Sequence, residues 1–215
     1  MLDAAVAIAD EQGLDAVSMR ALAERVGVTP MALYRHVEDK AALLDGIVGR
    51  LLAALLPSAA EDRPWDERLS ALAHACRALT GRHPWAAQLL FSRPAVTPDA
   101  VRAIDIIYTA LIEAGVPERD VPRLERLIST FVLGFAASEA SGRFAPGALD
   151  PRTRRGRLPE GELPGHQRLA PWLDLPADLD AEFDADLDDM LRLIQAAARP
   201  PDRRADPSPP PRRSA

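Results

Sequence analysis

Residues 18–36 have the sequence SMRALAERVGVTPMALYRH, which predicts two short helices joined by a tight turn. Ser18 is a good N-cap for the first helix, and Gly27 suits the turn that ends it. Thr29 followed by Pro30 is a second start signal, because a hydroxyl cap precedes proline at the first helical position. We expect the second helix to extend from Pro30 to about residue 36 or 37. Such a pair predicts a helix-turn-helix, whose second helix enters the major groove of DNA.

The two helices of this pair need an apolar contact between them. The residues expected to supply it are Leu22, Val26, Val28 and Leu33. Once these point inward, Met, Tyr and His side chains are left on the outer face of the second helix. A merely solvated face does not usually carry them, whereas a face that contacts DNA bases often does.

The outward residues differ in the DNA groups that they suit. Met31 and the ring of Pro30 can contact thymine methyl groups, and small Ala32 permits close approach to base edges. Arg20 or Arg35 can pair with guanine, whereas hydroxyl, imidazole and ammonium groups suit the phosphates. Four side chains of these kinds are candidates for phosphate contacts, namely Thr29, Tyr34, His36 and Lys40. The predicted DNA-binding set is therefore Ser18, Arg20, Thr29, Pro30, Met31, Ala32, Tyr34, Arg35, His36 and Lys40.

Helical spacing of apolar residues continues through most of the chain, which favours an all-α fold. Ala and Leu dominate, and stretches rich in Val, Ile and Thr are missing. Residues 142–176 are rich in Gly, Pro and Arg and are expected to form a long loop, with a short helical turn near Trp172. Helices are predicted over residues 2–12, 40–55, 65–80, 84–91, 98–114, 122–141 and 179–198.

Composition limits the classes of protein to consider. No apolar run approaches the roughly 20 residues of a membrane span, and the N-terminus lacks a basic signal-peptide region, so we expect a cytoplasmic chain without a membrane partner. The formal net charge of −6 is the wrong sign for coating nucleic acid. Residues 1–50 carry five basic residues against eight acidic ones. DNA binding must therefore rest on a local cluster formed by Arg20, Arg35 and Lys40.

Residues 33–45, with the sequence LYRHVEDKAALLD, are similar to the signature of the tetracycline-repressor (TetR) family. The resemblance extends over residues 2–56 and is looser from Trp65 onward. It implies that Tyr34, His36 and Lys40 bind phosphates, and that Arg20, Pro30, Met31 and Arg35 lie at or near base edges. It further implies a homodimer on a palindromic double-stranded DNA operator, released by a small-molecule effector.

Three segments follow from these patterns. A three-helix helix-turn-helix domain is expected over residues 1–48, and a long helix joins it to a helical regulatory and dimerisation domain over residues 49–198. The proline- and arginine-rich tail, residues 199–215, is expected to be disordered. Arginine clusters at 152–157 and 203–213 are expected to keep flexible segments solvated.

The C-terminal helices offer candidates for dimerisation and ligand binding. Large apolar and small residues alternate over 124–140, which, together with the last helix, suits a four-helix interface. The residues expected there are Leu127, Phe131, Phe135, Phe183, Leu187, Met190, Leu191 and Ile194. A ligand pocket needs an apolar lining with a few polar groups. Its candidates are His74, Cys76, Trp85, Tyr108, Phe131 and Trp172.

The nature of the effector is constrained by the resemblance. Tetracycline-binding members use an Asn, a Phe and a His for a drug–magnesium complex, and the matching positions fall at or near Leu72, Cys76 and Leu89. Leucine cannot ligate magnesium, which prefers oxygen ligands. We therefore expect a different, largely apolar effector, and no metal or other cofactor.

Two other classes of function remain open at this point. An all-α enzyme has no positive support, because the chain contains no P-loop, HExxH, GxSxG or dinucleotide-binding motif, and its four histidines are scattered. A helical ligand-binding or partner-binding protein without DNA binding would agree with the acidic first fifty residues. The Tyr34-Arg35-His36 triplet argues against it. A ligand-responsive repressor is the favoured interpretation.

Overall fold

The helices of the N-terminal third begin and end at short local signals. A computed structural model describes residues 1–56, 62–145, 163–173 and 175–198, and every regular element in these ranges is helical. The all-α prediction is therefore confirmed. The predicted tail and both arginine clusters lie outside the described residues. The first elements are α1 (Leu2–Gln12), a 3₁₀ turn (Leu14–Ala16), α2 (Met19–Val26), α3 (Pro30–Leu33) and α4 (Lys40–Ala53).

Three side-chain caps start the helices around the predicted turn. Ser18 Oγ accepts a hydrogen bond from the Ala21 amide at 3.1 Å, and Thr29 Oγ1 accepts one from the Ala32 amide at 3.3 Å. Asp39 Oδ1 does the same for the Ala42 amide at 2.8 Å. Gly27 ends α2 in the left-handed region, with φ 77° and ψ 32°, a conformation that costs a side-chain-bearing residue more. The sequence-based caps of α2, α3 and α4 are confirmed.

The second helix of the pair is shorter than predicted. α3 ends at Leu33, and the chain continues as tight turns in which the His36 amide donates to the Leu33 carbonyl at 2.8 Å. These turns place Val37 in the core and leave Asp39 extended, as its cap on α4 requires. The predicted packing role of Val26 and Val28 is wrong, since each is 42% exposed. Both flank the left-handed Gly27 turn, which carries them away from the α2–α3 contact.

Six helices follow α4 in the described part of the chain. They are α5 (Trp65–Arg82), α6 (Pro84–Ser92), α7 (Pro98–Glu113), α8 (Val121–Ala140), α9 (Pro164–Leu173) and α10 (Leu179–Ala198). α8 packs against α5, α6, α7 and α10, and α4 packs against both α1 and α7. The one helix that the sequence underestimated is α9, expected as a single turn near Trp172. Its sequence carries Gly165 in the first turn and Pro171 inside the helix, two residue types that count against a helix when only the sequence is considered.

Along the described ranges, no helix combines the length and the apolar character that crossing a membrane would require.

A glycine permits the contact between α4 and α7. A Cβ atom at Gly49 would collide with Thr97 Oγ1 and lie 3.0 Å from Thr97 Cβ. Thr97 is also the N-cap of α7, where its hydroxyl accepts from the Ala100 amide at 3.3 Å. A side chain at position 49 would therefore push the two helices apart or break this cap.

We expect Gly49→Ala to lower the free energy of unfolding by about 1–3 kcal/mol, because it overpacks the α4–α7 contact. The matched control is Gly81→Ala in α5, where a Cβ atom would meet nothing within 4 Å. That variant should gain roughly 0.5–1 kcal/mol from improved helix propensity. Urea denaturation of both variants measures the difference. Equal stabilities would show that α4 and α7 are not held at their closest approach by Gly49.

Candidate DNA-binding surface and effector cavity

The predicted recognition surface lies on the outside of the protein. Met31 is 73% exposed and Tyr34 is 50% exposed, although both belong to a domain whose other large apolar residues are mostly buried. Pro30 and the basic candidates are also exposed, Ala32 is half-buried, and Ser18 is occupied as the cap of α2. The basic candidates in this exposed set are Arg20, Arg35, His36 and Lys40.

Ion pairs determine which charges of this domain remain available. Arg25 pairs with Glu11, and Arg50 pairs with Asp3 at 2.8 Å. The hydrogen bond from Arg25 lowers the pKa of Glu11. By contrast, Arg20, Arg35 and Lys40 form no ion pair with any residue that the structure describes. The acidic domain therefore keeps its unpaired cations on and around the helix-turn-helix.

A second site is a partly open cavity of about 200 Å³ lined by residues of α4, α5, α6, α7 and α8. Its lining is mostly apolar, and each of the five helices contributes to it. The helical apolar residues include Val48, Leu52, Leu69, Leu72, Ala73, Leu90, Ala103, Ile104, Ile107, Ile128, Val132 and Leu133. A concave, mostly apolar lining of this kind is typical of a small-molecule site.

Polar groups in this cavity are few and come from α8 and from the end of α6. Glu125 and Ser129 of α8 lie one helical turn apart, and Ser129 Oγ donates to Glu125 Oε1 at 2.8 Å. Arg93, just after α6, also lines the cavity. Within the described ranges, no three His, Cys, Asp or Glu side chains are grouped so that they could hold a metal ion.

Arg93 also connects the cavity to the helix that leaves the DNA-binding domain. Its guanidinium lies 2.7 Å from Asp45 Oδ1, and Nη2 donates to the Ala41 carbonyl at 3.1 Å. Both partners are in the first half of α4. Asp10 of α1 forms a second connection, because its Oδ1 accepts from Trp85 Nε1 at 2.7 Å and lies 2.7 Å from His83 Nδ1. The two domains are thus joined by polar contacts as well as by α4.

Family models match nearly the whole of this architecture. The model described as "Bacterial regulatory proteins, tetR family" matches residues 1–47, and "Tetracyclin repressor-like, C-terminal domain" matches residues 56–191. The second match alone covers more than half of the chain. The chain belongs to the TetR family.

This TetR-family chain has both sequence and structural relatives. It is 34% identical over 140 residues to the HTH-type transcriptional repressor DrrR1 of Streptomyces coeruleorubidus, covering 65% of this chain and 52% of DrrR1. The chain thus spans about half the length of that relative. A possible TetR family transcriptional regulator from Streptomyces coelicolor is 29% identical, with TM-score 0.73 and coverage of 91% and 97%. ActR from the same organism, in complex with actinorhodin, is 25% identical, with TM-score 0.78 and coverage of 93% and 96%.

The cavity of this TetR-family member includes one of the six predicted pocket residues, Cys76. His74 faces another depression on α5, where it contacts Phe183 edge-on, and Phe131 stacks on Phe183 from α8. Trp85 is engaged with Asp10. The remaining two also lie away from this cavity. Tyr108 is half-buried outside the lining, and Trp172 is 72% exposed on α9.

The predicted dimer residues divide into two groups. Phe135, Phe183, Leu187 and Ile194 are buried inside the protomer, where α10 packs on α8. They cannot also form a surface, which corrects that part of the prediction. Arg77 strengthens this packing, because its guanidinium lies 4.9 Å from the Phe183 ring centroid and pairs with Glu139. The residues left exposed or half-buried are Leu127, Phe131, Met190 and Leu191.

The residues that sequence analysis missed are Glu125, Ser129 and Arg93. Glu125 and Ser129 have the i, i+4 spacing of a hydrogen-bonded pair, and this was the available signal. No local sequence pattern indicates that several helices pack around α8. Because they do, polar positions of α8 also face the interior.

Burial raises the pKa of the Cys76 thiol to about 11, so the thiol is neutral at pH 8. We expect iodoacetamide to label native protein at least about 100-fold more slowly than urea-unfolded protein, whose thiol has a pKa near 8.5. Because the native pKa is raised, the thiol favours folding below about pH 8.5 and loses that contribution as pH rises toward 11. Mass spectrometry at pH 8 follows the reaction at the one cysteine of the chain. Native labelling within tenfold of the unfolded rate would contradict this burial.

Proposed function

We propose that the chain is a ligand-responsive transcriptional repressor, which binds operator DNA through α2 and α3 and a small effector in the cavity. The observation that carries the proposal is the coexistence of an outward recognition surface and a largely apolar cavity, with α4 packed against α1 of the first domain and lining the cavity of the second. The names of its relatives support it, since DrrR1 is described as a transcriptional repressor and ActR is described in complex with actinorhodin. Binding rather than catalysis is the proposed role of the cavity.

The roles proposed for the DNA-contacting side chains follow their exposure. Met31, which is 73% exposed, meets base edges together with Pro30 and Arg35. Tyr34, His36 and Lys40 meet phosphates, which fix the register without reading sequence. Thr29 and Ser18 act first as caps, so their proposed role at DNA is to hold the ends of α2 and α3 near the backbone. Arg20 supplies a further cation at the start of α2.

We propose a homodimer formed through the outer faces of α8 and α10. The supporting observation is that Leu127 is 37% exposed and Leu193 is 44% exposed on these two helices, beside the half-buried Phe131, Met190 and Leu191. Two copies meeting there would present two recognition helices. A twofold-related pair of helices matches a palindromic site whose half-sites are about 10 base pairs or a multiple of that apart.

Selection of bound duplexes from a random pool, combined with light scattering, tests these proposals. We expect enrichment of an inverted repeat and a mass twice that of the 23.3 kDa chain. A protein that enriches no sequence would contradict the DNA-binding role. A single 23.3 kDa species on one half-site would contradict the dimer.

Tyr34→Ala and Met31→Ala should affect operator binding differently. Loss of the Tyr34 phosphate contact should weaken binding to all sequences by similar factors, at most a few kcal/mol. Loss of Met31, or of Arg35, should change the preference at one position by roughly 1–3 kcal/mol. Fluorescence anisotropy on the operator and its single-base variants measures both effects, with Val96→Ala as the control at an exposed apolar site outside α2 and α3. A change of base preference in Tyr34→Ala would refute its phosphate role.

Arg93→Met should uncouple effector binding from operator release. The variant keeps an apolar stem in the cavity but loses the bonds to Asp45 and Ala41 of α4. We expect the effector concentration for half-release to rise about 5- to 150-fold, the range of typical allosteric coupling, while effector affinity without DNA changes less than threefold. Arg102→Met is the matched control, because Arg102 pairs with Asp99 of its own helix. Release at unchanged concentrations would place the coupling elsewhere.

A further inference from the structure

The carboxylate of Glu125 is the unusual feature of the cavity. Glu125 is 9% exposed, and its side chain lines a space whose other walls are mostly apolar. Burying a carboxylate is costly unless hydrogen bonds or a cation compensate for the lost hydration. Ser129 Oγ supplies one hydrogen bond, at 2.8 Å. An ionised carboxylate can accept about four, so most of its acceptor capacity is left for another donor.

No cation of the described chain neutralises this carboxylate. Arg93 is the basic residue of the lining, but its guanidinium lies 2.7 Å from Asp45 and donates to the Ala41 carbonyl. The charge of Arg93 is therefore balanced by Asp45. Lys, Arg and His side chains elsewhere in the described ranges form no ion pair with Glu125. The Cys76 thiol is neutral near pH 7. The carboxyl group that faces the cavity is therefore without a cationic partner among the described residues.

We propose that this cavity selects lipophilic cations: compounds with an apolar body and a protonated amine whose N–H group donates to the Glu125 carboxylate. The inference rests on the proposed function, because it names the effector class of the same cavity. The apolar walls bind the body of the ligand, and the amine supplies both the missing charge and the missing donors. Ser129 is the positioning residue that holds the carboxylate toward the ligand. A neutral ligand would leave the charge buried without compensation, and an anion would add repulsion.

Three naphthalene compounds of similar size separate charge from hydrogen bonding. 1-Naphthylmethylamine is a cation at pH 7, 1-naphthalenemethanol is a neutral donor, and 1-naphthaleneacetate is an anion. Calorimetric titration of the full chain without DNA gives the three affinities. We expect the amine to bind at least tenfold more tightly than the alcohol, and the anion to bind most weakly. Equal binding of the amine and the alcohol would overturn the proposal, as would tightest binding of the anion or binding of none of the three.

Substitutions assign the preference to the carboxylate. Glu125→Gln should bring the amine-to-alcohol ratio to about one, with the alcohol affinity changed less than threefold. Glu118→Gln, on the exposed turn before α8, is the matched control and should keep the wild-type ratio. Ser129→Ala retains the charge and should keep a preference for the amine at reduced affinity. This second variant keeps the test decisive if Glu125→Gln does not fold. An undiminished ratio in a folded Glu125→Gln protein would overturn the proposal.

These measurements use no operator, so they can fail separately from the repressor proposal. A protein that prefers the amine but is not released from DNA by any compound supports this inference and contradicts ligand-responsive repression. A protein that binds an operator and releases it with a neutral compound, without preference for the amine, supports ligand-responsive repression and contradicts this inference.

Discussion

The contact of α4 with both halves of the molecule is the constraint on which the rest of the structure depends. Leu43 and Ile47 of this helix are fully buried in the shared core, and Val48 and Leu52 line the cavity. An α-helix of this length is a rigid element, so a displacement at one end moves the other. Gly49 lets α7 approach closely at the middle of α4. The helix-turn-helix domain and the cavity are therefore both in contact with α4.

Polar contacts also link the cavity to α4. Arg93 lines the cavity and is bound to Asp45 and to the Ala41 carbonyl in the first turns of α4. Asp10 ties α1 to the α5–α6 junction through Trp85 and His83. A ligand that shifts Arg93 changes contacts made directly to the DNA-binding half. Allostery requires such differential contacts between two states, and this arrangement supplies a physical path for them.

The distribution of charge reconciles an acidic chain with the proposed binding of DNA. The first fifty residues contain more acidic than basic side chains. Three of the acidic side chains, Asp3, Glu11 and Asp45, are paired with arginines. Asp39 is a helix cap and faces the amide of Ala42. The cations near the helix-turn-helix have no such partners among the described residues, so the local field there is more favourable to phosphate than the net charge suggests.

The sequence by itself determined most of the helices, the helix-turn-helix and the family. The residues that begin and end these helices act through hydrogen bonds and backbone angles within three or four residues, so their effects can be predicted from the local sequence. They are Ser18, Gly27, Thr29 with Pro30, and Asp39. Only the tertiary structure decided where α3 ends, because Val37 must reach a core built by distant helices. It also decided which apolar side chains of α8 and α10 are buried, and that Glu125, Ser129 and Arg93 share one cavity. These residues are brought together by packing between helices far apart in the chain, and no local pattern carries that information.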